Sequence, residues 1–288
     1  MKIKESELIL NPDGSVYHLQ LHPENIAETI ITVGDPDRVS TVTNFFESIE
    51  FSTQKREFHT QTGYYKNKRI TVISTGIGTD NIDIVLNELD ALANIDLKTR
   101  TVKNELSSLD IIRIGTSGSL QENIPVDSFV ASKKAVGFDS LLHYYKSEKF
   151  QDNEFSSAIH NHLSNERLAK PYVINSDDNL FDLFSNNEKI HAGITATNVG
   201  FYAPQGRVLR VKLSDEKFVD KLQSFNYQNQ QITNLEMETS GIYGLSKIFG
   251  HRALSLNAII ANRATGEFSK KGKELIEELI ELTLNKLV

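Results

Sequence analysis

The chain has 288 residues, 39% hydrophobic and 24% charged, with a net charge of −7 and no cysteine. That balance, with a pI near 5.7, suits a folded protein with a substantial core and argues against the broad basic face that nucleic-acid binding needs. Disulfides, thiolate nucleophiles and cysteine–zinc sites are excluded. Residues 1–7 carry no apolar stretch of a secretory signal, and no apolar run approaches membrane-spanning length. A cytoplasmic protein is the expectation, with neither nucleic acid nor membrane as partner.

In chain order, Ala27–Val33 reads as a strand ending at Gly34, and Arg69–Ser74 as a second ending in Thr75-Gly76-Ile77-Gly78. Ile82–Leu92 has helical spacing, with Ile82, Val85, Leu86 and Leu89 on one face. A third strand over 109–114 runs into Gly115-Thr116-Ser117-Gly118, read as a turn. Asp127–Ala131, Ile190–Ala196 and Leu254–Ala261 are further strands. Gly241–Phe249 is helical, and Leu275–Leu287 is an amphipathic closing helix. The polar stretches 94–108 and 146–189 read as surface elaborations. Alternating strand and helix without a linker predicts one α/β domain over 1–288, with a largely parallel or mixed sheet.

In such sheets ligands sit beyond the carboxyl ends of the strands. Three glycine turns are expected there, at 34–38, 75–78 and 115–118. Arg38 and Arg113 each adjoin one, and guanidinium forks beside backbone N–H groups suit phosphate oxygens. Arg38 also fits an ordinary helix surface. Arg113 follows Ile111-Ile112 and needs a partner if buried, either a structural carboxylate or a phosphate.

The turns match neither the P-loop nor the dinucleotide fingerprint. Of Glu236 and Glu238, at most one is expected to face a shared site; the alternative is an acidic helix start favoured by the macrodipole. Phe201-Tyr202-Ala203-Pro204-Gln205-Gly206-Arg207 is a loop that could read a planar heterocycle, or an ordinary surface loop. His160 and His162 lack metal-ligand spacing, and no nucleophile elbow occurs.

Together these stretches resemble the nucleoside phosphorylase family, and among them the uridine phosphorylases. The matching segments run in order from Val16-Tyr17-His18-Leu19 through Gly34–Arg38, Arg56-Glu57-Phe58, Ser74–Gly78, Arg113–Gly118, Phe201–Arg207 and Asn234–Glu238 to Asn262-Arg263. The resemblance implies a barrel-like mixed central sheet flanked by helices. It makes Gly34, Arg38, Arg113 and Thr116 a phosphate site, with Arg56 added by a neighbouring subunit. His18, also from the neighbour, with Thr116, Met237 and Glu238 would hold the ribose. Phe201, Gln205 and Arg207 would hold the base.

The implied reaction is reversible phosphorolysis of uridine to uracil and ribose 1-phosphate, in nucleoside salvage or catabolism. Inorganic phosphate is the co-substrate and no cofactor is expected. A homodimer or trimer of dimers with shared active sites is implied. Arg113 should then be partly unsatisfied when phosphate is absent.

The chain departs from the family in places. Ala203-Pro204 alters the base loop, and 146–189 resembles the family poorly. A monovalent-cation position of some members maps to Glu57, Ile77 and Asn81, where Asn81 replaces a serine; no metal site is expected. Ala261-Asn262-Arg263 lacks the aspartate of purine-cleaving members. Alternative functions are a purine nucleoside phosphorylase, a nucleosidase, and a non-catalytic nucleoside-binding protein.

Overall fold

A computed structural model describes residues 2–288. The chain begins with β1 (Thr29–Val33), α1 (Pro36–Thr43), β2 (Ser48–Lys55), β3 (Phe58–Tyr65), β4 (Lys68–Ser74) and α2 (Thr79–Asn94). A small hairpin, β5 (Ile95–Asp96) with β6 (Thr101–Val102), precedes β7 (Asp110–Ser119) and β8 (Phe129–Gly137). The second half holds α3 (Asn153–Leu163), β9 (Tyr172–Asn175), α4 (Asp178–Ser185), β10 (Ile190–Thr197), α5 (Phe218–Ser224) and β11 (Asn234–Glu236). It closes with α6 (Thr239–Phe249), β12 (Arg252–Asn262), β13 (Glu267–Phe268) and α7 (Gly272–Lys286).

Five strands close on themselves in the order β7, β12, β8, β10, β11 and back to β7. Closure leaves few edges to protect. β1, β4, β3 and β2 extend the sheet from β7, and the hydrophobic run of β1 is buried along its whole length because helices cover both faces. One apolar cluster packs the sheet against α1, α4 and α7; a second packs it against α2 and α6.

β7 decides where a ligand can sit. It pairs with β12 along its whole length. Its other edge pairs with β1 only over Asp110–Arg113, and with β11 only at Gly118 and Ser119. Between them, among the described residues, 114–117 have no strand neighbour on that edge, and the sheet opens.

Two expectations are corrected here. Gly115–Gly118 is not a turn; it is the second half of β7, held extended by ten residues of pairing with β12. Nor is 146–189 a surface elaboration. β9 pairs with β8, while Phe155, Ile159, Phe181 and Phe184 are core residues. Its polar residues are the outward faces of α3 and α4, which hid the apolar stripe.

Asp152 starts α3 by accepting a hydrogen bond from the Phe155 N–H at 3.0 Å and one from Lys134 at 2.7 Å. Burial opposes its charge, but Lys134 and the amide outweigh that and hold its pKa below the ordinary aspartate value. Asp152→Ala is expected to lower the unfolding free energy by about 1 kcal/mol. A carboxylate with a lowered pKa stabilises the fold above its unfolded value and loses this as pH falls through the folded one. The gap between wild type and variant in denaturant melts should therefore be constant near neutrality and narrow below about pH 4.

Candidate active site

A cavity of about 730 Å³ occupies the opening beside β7. Its floor is Arg113 to Gly118 without Ile114, whose side chain belongs to the core. Asp35 accepts from the Asp37 N–H at 3.0 Å and caps α1, and Pro36 begins the helix. This cap puts Arg38 in the first turn, at the cavity wall. Burial, and the like charge of Arg113, pull the Arg38 pKa below the ordinary guanidinium value, with Asp35 opposing. Two guanidiniums that disfavour each other's charge make this end receptive to an anion.

Arg113 is only 7% exposed. Its Nη2 donates to Glu238 Oε2 at 2.6 Å and lies 3.2 Å from Glu236 Oε2. Its Nη1 donates to Asn257 Oδ1 at 2.8 Å. Burial opposes its charge, and the two carboxylates outweigh it, so its pKa stands above the ordinary value. A guanidinium this deeply buried needs counter-charge in the protein itself, and its Nη groups find it, whereas among the described residues its Nε–H has no acceptor, so Arg113 is satisfied only in part. Yet it stays on the cavity wall, so its partners do not remove it from reach.

One correction concerns those partners. Glu236 and Glu238 both face Arg113. Glu236 ends β11 and Glu238 is the N-cap residue of α6, so the chain turns between them and both side chains converge. Glu236 also accepts from the N–H groups of Glu238 and Thr239 at 2.9 Å, and from Thr197 Oγ1 at 2.6 Å. It is the structural member, satisfying the start of α6. Glu238 accepts from the Gly78 N–H at 2.9 Å. Its pKa is raised by burial, against the pull of Arg113 and with added repulsion from Glu236.

Gly115 is required by this packing. A Cβ there would lie 2.1 Å from Arg113 Nη1. Gly115→Ala is expected to push the guanidinium off Glu238 and lower kcat/KM by about 10²-fold, the scale for losing one well-placed donor. Steady-state kinetics on a variant with a native circular dichroism spectrum checks this.

At the far end, Ala203–Gln205 forms a single 3-10 turn closed by Gly206 at φ 68°. Gln205 is buried, and its Oε1 accepts from Arg207 Nη1 at 2.7 Å. The Arg207 guanidinium lies 3.8 Å over the Phe201 ring and donates to the Phe201 carbonyl at 2.5 Å. Burial and the nearby Arg263 draw its pKa down. Arg263 Nη1 donates to the Gln205 carbonyl at 3.0 Å, tying this loop to the end of β12. The β12–β13 wall adds Ile260, Ala261 and Phe268, and no carboxylate.

Gly34, Arg38, Arg113, Thr116, Met237, Glu238, Phe201, Gln205 and Arg207 therefore line one cavity, as do Glu57, Ile77 and Asn81. Asn81 Nδ2 donates to Glu57 Oε1 at 3.2 Å, so an amide N–H faces the carboxylate where a cation would compete. Arg56 and His18 do not line the cavity. Arg56 sits exposed at φ 57° in the β2–β3 hairpin, and His18 Nδ1 pairs with Glu88 at 2.7 Å. Sequence reading missed Ser255 and Asn257, which hold Arg113 with Glu238. The signal was present: two polar residues two apart in an otherwise apolar strand share a face.

The model of the phosphorylase superfamily matches residues 28–287, and the chain belongs to that family. This makes it an enzyme of the pentosyl-transferring class. The chain is 28% identical over 279 residues to the uridine phosphorylase of Thermococcus kodakarensis, covering 95% of this chain and 87% of that protein. It is 26% identical over 280 residues to a DeoD-type purine nucleoside phosphorylase of Colwellia psychrerythraea, covering 94% and 98%. A solved Trypanosoma brucei nucleoside phosphorylase, described as showing uridine phosphorylase activity, superposes with a TM-score of 0.88 at 29% identity. The match covers 97% of this chain and 99% of that one. Among the described residues, no helix is long and apolar enough to cross a membrane.

Proposed function

We propose that the enzyme catalyses reversible phosphorolysis of uridine to uracil and ribose 1-phosphate. The observation that carries this is the base end of the cavity: Gln205 and Arg207 hydrogen-bonded to each other beside Phe201, with Ala261 and no carboxylate on the facing wall. An amide and a guanidinium supply acceptor and donors for the edge of a uracil ring. A purine leaving group would call for an acid near its imidazole nitrogen.

Gly34, Arg38, Arg113 and Thr116 bind phosphate in this reading, and Glu238 with Met237 holds the ribose. Phosphate and Glu238 share Arg113, so the incoming anion takes over guanidinium donors while Glu238 turns its oxygens to the sugar hydroxyls. The anion then lies against C1′, where it offsets the positive charge that develops as the glycosidic bond breaks. Negative charge on the departing uracil is met by Arg207 and by the Gln205 amide N–H. The acceleration comes from positioning and electrostatics, with no enzyme nucleophile. His18 and Arg56 act from a neighbouring copy, in a homodimer or trimer of dimers, and inorganic phosphate is the only co-substrate.

Incubating the enzyme with uridine, with and without phosphate, tests this. Uracil and ribose 1-phosphate should appear only with phosphate. Equal uracil release without phosphate indicates a nucleosidase, and no release in either case overturns the reading. The purine-cleaving relative at nearly equal identity favours one comparison above others, inosine, which should turn over at least about 10²-fold more slowly than uridine.

A further inference from the structure

A second cavity, of about 540 Å³, lies behind the base loop, between that loop, the 209–215 segment and the start of α5. Its volume is in the range of small-molecule sites. Phe138 and Phe218 meet edge to face at 5.5 Å in its wall, beside Leu168 and Tyr202. The apolar character continues to the mouth, where Leu209 is 78% and Val211 65% exposed. A soluble surface rarely leaves such side chains clustered without a use.

The charge of this cavity is one-sided. Arg207, Arg210 and Lys212 line it, and among the described residues none of them pairs with a carboxylate. Its one acidic wall residue, Asp215, is taken by Lys221 at 2.8 Å. Asn198 adds a polar feature to the wall: it is 1% exposed, and among the described residues its Nδ2 has no hydrogen-bond partner.

Apolar walls, an aromatic pair, an unpartnered amide and an uncompensated cationic mouth select a ligand with a flat apolar body and one anionic end. We propose that this cavity binds a small planar aromatic carboxylate, at a site separate from the catalytic cavity. The ring lies between Tyr202, Leu168 and Phe218, and the carboxylate meets Arg210 and Lys212. Arg207 lines both cavities, so the bound anion competes with Gln205 for its guanidinium.

Calorimetric titration of the full chain with biphenyl-4-carboxylate tests the site without relying on turnover. Binding is expected, and the neutral biphenyl-4-carboxamide should bind about tenfold more weakly or worse. The double variant R210E/K212E, changed at surface positions outside the catalytic cavity, should lose about the same factor, while R113A in the other cavity should bind within about twofold of wild type. Equal binding of acid and amide overturns the proposal. So does loss of binding in R113A with R210E/K212E unaffected, which would place the probe in the catalytic cavity. Absence of binding overturns it too, including the case in which R210E/K212E dissociates an oligomer and the cavity proves to be an interface between copies.

Discussion

Arg113→Ala is expected to lower phosphorolytic kcat/KM by at least about 10³-fold, at the upper end for removing one electrostatic group from a reacting centre. In the proposed reaction the loss would exceed that of a phosphate contact alone, because Arg113 also holds Glu238 at 2.6 Å. Removal leaves two buried carboxylates, Glu236 and Glu238, without their shared counter-charge. Breaking a buried ion pair from one side costs about 3–5 kcal/mol of stability.

That cost should depend on pH in a stated direction. Glu238 already has a raised pKa from burial, and Arg113 is the main group that lowers it. Without the guanidinium the folded pKa rises further. A raised folded pKa gives stability that is complete below the unfolded value and lost as pH rises through the folded one. Urea melts of Arg113→Ala should therefore fall furthest below wild type at about pH 8 and recover toward about pH 5 as the carboxylate takes up a proton. A destabilisation independent of pH would show that Glu238 and Arg113 are not coupled as their geometry implies.

Arg207→Ala should behave differently at the other end of the cavity. Arg207 orders Gln205 through the 2.7 Å hydrogen bond, and in the proposed reaction it would stabilise the departing base. Uridine kcat/KM should fall by about 10²-fold, with phosphate KM unchanged within about twofold. Stability should change by less than about 1 kcal/mol, because among the described residues Arg207 holds the Phe201 carbonyl, the Phe201 ring and Gln205 and pairs with no carboxylate, so its loss strands no buried charge. Separate phosphate and uridine titrations of both variants distinguish the two ends. If Arg207→Ala raises phosphate KM while Arg113→Ala raises only uridine KM, the assignment of the ends is reversed.

Much of the framework was legible from periodicity. The buried runs of β1, β4, β10 and β12, and the helical spacing of α2, α6 and α7, follow from apolar residues at strand or helix intervals. The helices α3 and α4 were not, because their short apolar stripes are diluted by polar outward faces. The hairpin β2–β3 was missed for a related reason: β2 is largely exposed and carries little hydrophobic contrast.

The site was legible as a set of residues, and less so as geometry. Glycines and hydroxyls after Arg113 read locally as a turn. Pairing with β12, more than 130 residues away in sequence, holds them extended instead. The convergence of Glu236 and Glu238 depended on where β11 stops and α6 starts, and no local propensity specifies that to one residue.

From the sequence alone came the α/β class, the separation of candidate anion-binding arginines from candidate base-reading side chains, and the order of the motifs. These depend on residue chemistry and short-range periodicity, which survive without knowledge of neighbours. Only the tertiary structure decided that β7 changes partner from β1 to β11 and opens the sheet beside Arg113. It also decided that Arg113 rests on two carboxylates and Asn257. The physical reason is desolvation: a buried guanidinium must find its counter-charge somewhere, and which distant side chains supply it is fixed by packing across the closed sheet.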